Sequence, residues 1–428
     1  MGPTTATTST TESPPVSPHL SPDAELALLL CCARISPTGD TRNRIETLAR
    51  GPLDWNRFYK TACARGVAPL VYTTLLSRAA KSVPDRILTA LQAYFHQQAT
   101  FGKFRALELL RLLDLFQENG VRAIAYKGPV LAEIAYGSLT LREFQDVDIL
   151  VGKQEIFRAR DLLLAEGYRW CEHYPNPFDV GSLDRHHAFS FIHDQLRCSV
   201  DLHWRLSEPP FDRFCLDIAD LSRRAEKRLL LGKEVLSLCR EDLLLCLCFH
   251  AAKHHWAQLK WLCDLAELVN RNHDLDWETV WKRAEISGRG LTRLVALNLT
   301  LASTLLGAQL PAEVAERVSR DAVAASLAGT IRAKIVAGKV SSRYAVDALF
   351  LQLHEGQAAR VSYFLKRAKQ ERLLMHIVRP TPGDREFVRL PRWLSPLYFL
   401  IRPFRVFGVY GMRPLRWCVS LLVGRRES

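Results

Sequence analysis

Two aspartates one residue apart, Asp146 and Asp148, stand at the head of the apolar run "DVDILV". Residues two apart on a strand project to one face, so the two carboxylates point together while Val147 points the other way. Side by side they repel by roughly 4 kcal/mol at an effective dielectric of about 20. A divalent cation removes that cost, and oxygen donors of this kind suit magnesium or manganese. A third acid, Asp201 in "CSVDLHW", lies mid-strand between apolar Val200 and Leu202. Three strand-borne carboxylates converging on one point are what phosphoryl transfer assisted by two metal ions requires. The plainer reading of a lone D-x-D is a turn aspartate followed by a solvated strand face. The second acid-bearing strand weighs against it.

Basic residues flank these acids. The segment "VRAIAYKG" reads as a strand ending at Lys127 and Gly128, followed by a helix in "PVLAEIAYG". A glycine between strand and helix lets a phosphate approach backbone N–H groups and the helix N-terminus. Lys127 beside it can hold a phosphate as a point charge. Gly137-Ser138, nearer the aspartates, is a competing candidate for that role. Arg142, four residues before Asp146, is a further phosphate contact or else a solvated loop arginine.

A second group lies downstream in "FHAAKHHWAQLKWLCDLAEL". The stretch around this segment reads as one or two helices; drawn as one, the segment puts His250, Lys253, His254, Lys260, Trp261 and Asp264 within an arc of about 120°. That face is expected to look across a cleft at the carboxylates, with Leu259 and Cys263 buried behind it. Lys253 and Lys260 would then reach phosphate and Trp261 a base; the alternative is a solvated basic face. His250 and His254 have metal-ligand spacing, but neither the Glu of H-E-x-x-H nor a third soft ligand accompanies them. His203, two after Asp201, shares that strand face and either orients a ligand or is a satisfied structural histidine.

These residues must be positioned by a chain of 428 residues, long enough for more than one structural unit. Residues 1–22 are Ser/Thr/Pro-rich and read as a disordered tail. Helical periodicity fills 23–119, with helices meeting at Gly66 and a long one stopping at Asn119-Gly120. Strands and helices alternate over 120–208, including a hairpin of "HAFSFI" with "LRCSVDLHW". From about Pro209 the pattern is helical again, first over 209–310 and then in an extension, 311–428. The fold class expected is α+β, mostly helical overall, with a small mixed β-sheet core between N- and C-terminal helical regions.

The formal charge of +13 favours anionic partners. Eleven cysteines without a C-x-x-C pair point to a reducing, cytoplasmic setting. No run reaches the ~18 uncharged apolar residues of a membrane span. From Arg389 the chain interleaves Arg with Trp, Phe, Tyr and Leu, which suits either an anionic membrane surface or packing against the helices.

The order K-G, R-x-x-x-D-x-D, V-D-L-H-W and a His-rich helix leading to "LKWLCDL" resembles the uncharacterised bacterial nucleotidyltransferase family of the polymerase-beta-like superfamily, over about Val121 to Asn270. The superfamily's usual Gly-Ser is here Lys127-Gly128. The resemblance implies Asp146, Asp148 and Asp201 as ligands of two magnesium or manganese ions. It also implies transfer of a nucleoside monophosphate from a nucleoside triphosphate, with release of pyrophosphate. It supplies no acceptor: a small molecule, a peptide or protein, and RNA all remain open. A second reading is a catalytically silent nucleotide-binding or membrane-surface accessory protein.

Overall fold

A computed structural model describes residues 22–171, 176–178, 181–206, 218–287, 289–337, 351–353, 388 and 392–399. One mixed sheet of seven strands lies at its centre: β1 (Ala123–Ala125), β2 (Asp146–Val151), β3 (Arg169–Trp170), β4 (Ala188–His193), β5 (Cys198–His203), β6 (Glu226–Leu230) and β7 (Lys233–Ser237). Their spatial order is β3-β4-β5-β2-β1-β7-β6. β2 runs parallel to β5 and antiparallel to β1. The expected α+β class holds, with helices before and after the sheet.

Alternation along the central strands separates two faces. Val147, Ile149, Val200, Leu202, Phe189 and Phe191 enter one apolar cluster, with Leu109, Leu112 and Phe116 of the long helix Asp85–Glu118. The opposite face carries Asp146 and Asp148 on β2 and Ser199, Asp201 and His203 on β5. Beneath the helical regions a larger cluster begins at Leu28, takes in Ile124 and Leu150 from this face of the sheet, and continues through Ile335. β1 and β2 thus join two cores, with Ile124 and Leu150 in the larger cluster and Ala125, Val147 and Ile149 in the other, as a period-two alternation of faces allows.

The anticipated helices appear at Trp55–Ala64, Ala68–Arg78, Asp85–Glu118 and Ile156–Ala165. Gly66 adopts φ +70° between the first two. The hairpin of β4 and β5 also forms, although its turn lacks glycine; Arg197 takes the left-handed conformation instead, at φ 48°.

The reading of continuous helix from about Pro209 needs correction. β6 and β7 form a hairpin that extends the sheet past β1. Its turn is Leu231-Gly232, both with positive φ. Two-residue hairpins favour Asn or Asp before glycine at that position, and a leucine there conceals the signal.

The N-terminal tail to residue 21 lies outside the described residues. So do most of the helical extension after residue 337 and the basic aromatic tail apart from 392–399. No helix of the described residues is long and apolar enough to cross a membrane.

Candidate active site

Parallel pairing sets Asp148 directly opposite Asp201, and Asp146 opposite Ser199. A slip of one residue would send Asp201 into the apolar core. Asp148, Asp201 and His203 each offer a donor atom, all within 4.8 Å of one another, and they form the one such group found among the described residues. Asp146 shares their face and the same cavity but stands outside that closest group.

The cavity encloses about 330 Å³, and the twelve residues put forward above for metal, nucleotide or their support line it, whereas Asp264 and the competing Gly137-Ser138 do not. The acids lie on the sheet side. Opposite them, the helix Arg240–Lys253 ends, a turn follows, and a second helix starts at Lys260. Of the one or two helices allowed by the sequence, the structure has two. His255 and Trp256 break the segment, at φ 62° and 50°. Trp256 is buried, and its indole N–H donates to Asn298 Oδ1 at 2.8 Å. That anchor offsets the strain of two consecutive non-glycine residues in the left-handed region. The break keeps both halves turned toward the acids. The rings of His250, His254 and Trp261 gather with centroids 4.6–5.4 Å apart, while Leu259 and Cys263 are buried.

Each cation has its own setting. Lys127 Nζ pairs with Asp148 Oδ1 at 2.6 Å, and His203 Nε2 lies 3.1 Å from the same oxygen. Burial raises the Asp148 carboxyl, but Lys127 and His203 outweigh it and hold the group well below the usual range. Asp146 has no such partner in contact. Burial first, then the charges of Asp148 and Asp201, push its carboxyl up to about 6. Ser190, opposite Asp201 on β4, donates its hydroxyl to Asp201 Oδ1 at 2.6 Å.

Arg142 lies on the cavity wall as a buried ion pair, not as an open loop arginine. Its Nε and Nη2 donate to the two oxygens of the fully buried Asp264, at 2.7 and 2.9 Å. Tyr136 O–H donates to the same carboxylate at 2.8 Å. Burial disfavours the guanidinium charge, but Asp264 more than restores it. Lys260 Nζ lies 3.4 Å from the Glu143 carbonyl, and burial followed by the Arg142 charge lowers its pKa. Lys253 Nζ is 2.8 Å from His187 Nε2.

Gly128 follows β1 at φ +55°, and a Cβ there would stand 3.2 Å from the Asp146 carbonyl. The junction is thus closed to a side chain and within reach of the acids. The competing Gly137 terminates the helical segment instead, in the left-handed conformation. His187 and Ser190 were not anticipated. Ser190 was recoverable, because the alternation of "HAFSFI" puts it on the polar face between Phe189 and Phe191. His187 precedes β4, and contacts distant in sequence, Lys253 at its Nε2 and the His203 ring 5.7 Å away, bring it to the site.

The donor set has the geometry and chemistry of a divalent-cation site. Asp148, Asp201 and His203 bring donor atoms within 4.8 Å of one another, and Asp146, whose carboxyl burial and the neighbouring acids push up to about 6, stands on the same face of the cavity. Carboxylate oxygens beside one imidazole suit magnesium or, better, manganese. The residues fit such an ion.

A family model described as an uncharacterised nucleotidyltransferase matches residues 51–307, more than half of the chain. The chain belongs to that family. It is a nucleotidyltransferase, and nucleotidyl transfer takes a nucleoside triphosphate as donor substrate. The match also takes in the helices around Gly66 that precede the sheet. Among curated proteins none is detectably similar in sequence. Among solved structures, the solution structure of the antibiotic-resistance factor ANT(2'')-Ia is similar at 13% identity, covering 53% of this chain and 93% of that one, with a TM-score of 0.27.

Proposed function

We propose that this nucleotidyltransferase uses Asp146, Asp148 and Asp201, with His203 beside them, to hold divalent cations, and moves a nucleoside monophosphate onto an acceptor nucleophile with release of pyrophosphate. The observation that carries the reading is the facing of Asp148 and Asp201 across the parallel β2–β5 pair, in one cavity with Lys127, Lys253 and Lys260. Acids to gather metal and cations to meet phosphate are the two charges that phosphoryl transfer from a triphosphate needs.

When bound, magnesium or manganese, two ions in this reading, would polarise the phosphoryl oxygens and offset charge on the leaving pyrophosphate. The chain's own groups do the rest. Gly128 admits a phosphate to the backbone, where Lys127 is within reach. Lys253 and Lys260 face the acids and hold phosphate oxygens. Arg142, engaged by Asp264, supplies positive potential more than a fork of donors. The cluster of Trp261 with His250 and His254 offers ring faces against which a base can stack. We assign the acceptor proton to Asp201, because Ser190 holds that carboxylate in one orientation.

The test is incubation of the protein with each α-labelled nucleoside triphosphate, a divalent cation and cell extract, followed by separation of labelled products. Wild type should transfer label only with metal present. Asp201→Asn keeps an oxygen for Ser190 and removes the charge. It should lower transfer by orders of magnitude, each tenfold being about 1.4 kcal/mol of barrier. Transfer by Asp201→Asn at the wild-type rate, or no labelled product with any of the triphosphates, would sink the proposal.

A further inference from the structure

Lys260 is held from outside the sheet. The turn joining helices Trp55–Ala64 and Ala68–Arg78 passes against its side chain, and Gly66 leaves the room. A Cβ on Gly66 would stand 2.7 Å from Lys260 Cδ and 3.2 Å from Cγ. The lysine stem therefore rests on bare backbone. Two hydrogen bonds fix the same junction. Lys260 N–H donates to the Arg65 carbonyl at 3.2 Å, and Arg65 Nη1 donates to the Ala257 carbonyl, also at 3.2 Å. The strained turn before Lys260 is thus pinned on one side by Trp256 and Asn298, and on the other by Arg65 and Gly66. At its far end the ammonium lies by the Glu143 carbonyl, in the cavity with Asp146. A four-carbon stem is flexible, so its ammonium is aimed only as well as the stem is confined.

We propose that Arg65 and Gly66, in the helical region before the sheet, are positioning residues that aim Lys260 at the phosphates of the bound triphosphate. The inference rests on the nucleotidyl-transfer reading of the cavity. It makes the N-terminal helices part of the nucleotide site and not merely its support. Glycine suits position 66 on two counts: the backbone is left-handed there, and the lysine stem takes the place of a Cβ.

Pyrophosphate is the probe, because it carries the phosphate groups without committing to a base. Titration with magnesium pyrophosphate would be followed by calorimetry in the full-length protein, with thermal unfolding of each variant alongside. Lys260→Ala should weaken binding by roughly tenfold or more, as loss of a charged hydrogen bond does. Gly66→Asn tolerates the left-handed backbone yet introduces the Cβ, and should approach the same loss. Arg65→Met, which drops the Ala257 bond without touching the glycine, should weaken binding severalfold. The decisive variant is the double Gly66→Asn/Lys260→Ala. It should bind no more weakly than Lys260→Ala alone, because the glycine acts through the lysine. Wild-type affinity in both Gly66→Asn and Arg65→Met, or additive losses in the double variant, would overturn the inference while leaving the nucleotide site intact. Wild-type affinity in Lys260→Ala would remove the lysine, and its positioning residues, from the phosphate subsite. Failure of the wild type to bind pyrophosphate would overturn the parent reading, and this inference with it.

Discussion

Asp148 meets both Lys127 and His203 at a single oxygen, and this crowding governs what its substitution does. Asparagine at 148 removes the counter-charge of a largely buried lysine, its side chain 12% exposed. Removing one member of a buried pair costs about 3–5 kcal/mol, because the other charge is left uncompensated. Asp148→Asn should therefore lose both activity and stability, whereas Asp201→Asn loses activity with a far smaller drop in stability. Adding Lys127→Met to Asp148→Asn should recover much of the stability and none of the transfer. Urea unfolding of the three variants measures this. Equal stability of Asp148→Asn and wild type would show that the lysine finds another partner, with Asp146 the nearest candidate.

Between elements, buried polar contacts set which helix meets which strand. Asp264 on the helix Lys260–Arg271 receives Arg142 from the loop before β2 and Tyr136 from the segment after β1. Asp264→Ala would strand a buried guanidinium, and the expected loss is about 3–5 kcal/mol in denaturant unfolding. On the other side of the sheet, Glu108 of the long helix accepts from Arg111 at 2.8 and 3.0 Å and from Tyr168 O–H at 2.7 Å. Burial raises the Glu108 carboxyl, but the bonds from Arg111 and Tyr168 outweigh it, so the group titrates below its ordinary value of 4.5. A lowered carboxyl contributes stability that is present above the unfolded value and lost as pH falls through the folded one. Between about pH 6 and about pH 3, wild type should thus lose more unfolding free energy than Glu108→Gln. Parallel pH profiles of the two proteins would exclude Glu108 from the acid limb.

The apolar cluster that begins at Leu28 runs beneath the N-terminal helices, one face of the sheet and the helices to Ile335. The second cluster fills the other face of the same strands. Sharing strands couples the two cores, so neither can open without exposing the sheet between them. The expected outcome is one urea transition, with tryptophan fluorescence and far-ultraviolet circular dichroism coincident. Separate midpoints would show that the N-terminal helices melt on their own. Prior melting of that region should also lower pyrophosphate affinity, because Gly66 and Arg65 belong to it.

Local patterns made much of this molecule legible. The period-two runs around Asp146, Asp148 and Asp201 announced strands with one acidic face, and the 3.6-residue pattern announced the helices before and after them, because both periods are properties of the chain alone. The charged residues of the site could be named for the same reason. Their partners could not be, since these lie far apart in sequence. That Lys127 meets Asp148, that Arg142 is closed off by Asp264, and that Lys253 reaches His187 depend on packing between elements. The hairpin of β6 and β7 stayed hidden because Leu231 stands where turn chemistry calls for Asn or Asp. The place of the break between the two helices, at His255 and Trp256, stayed hidden because buried Asn298, 42 residues away from Trp256, offsets its strain. The sequence by itself determined which side chains could do chemistry and the faces they share. Only the tertiary structure decided which charges neutralise one another, because that depends on distances the chain sets by folding.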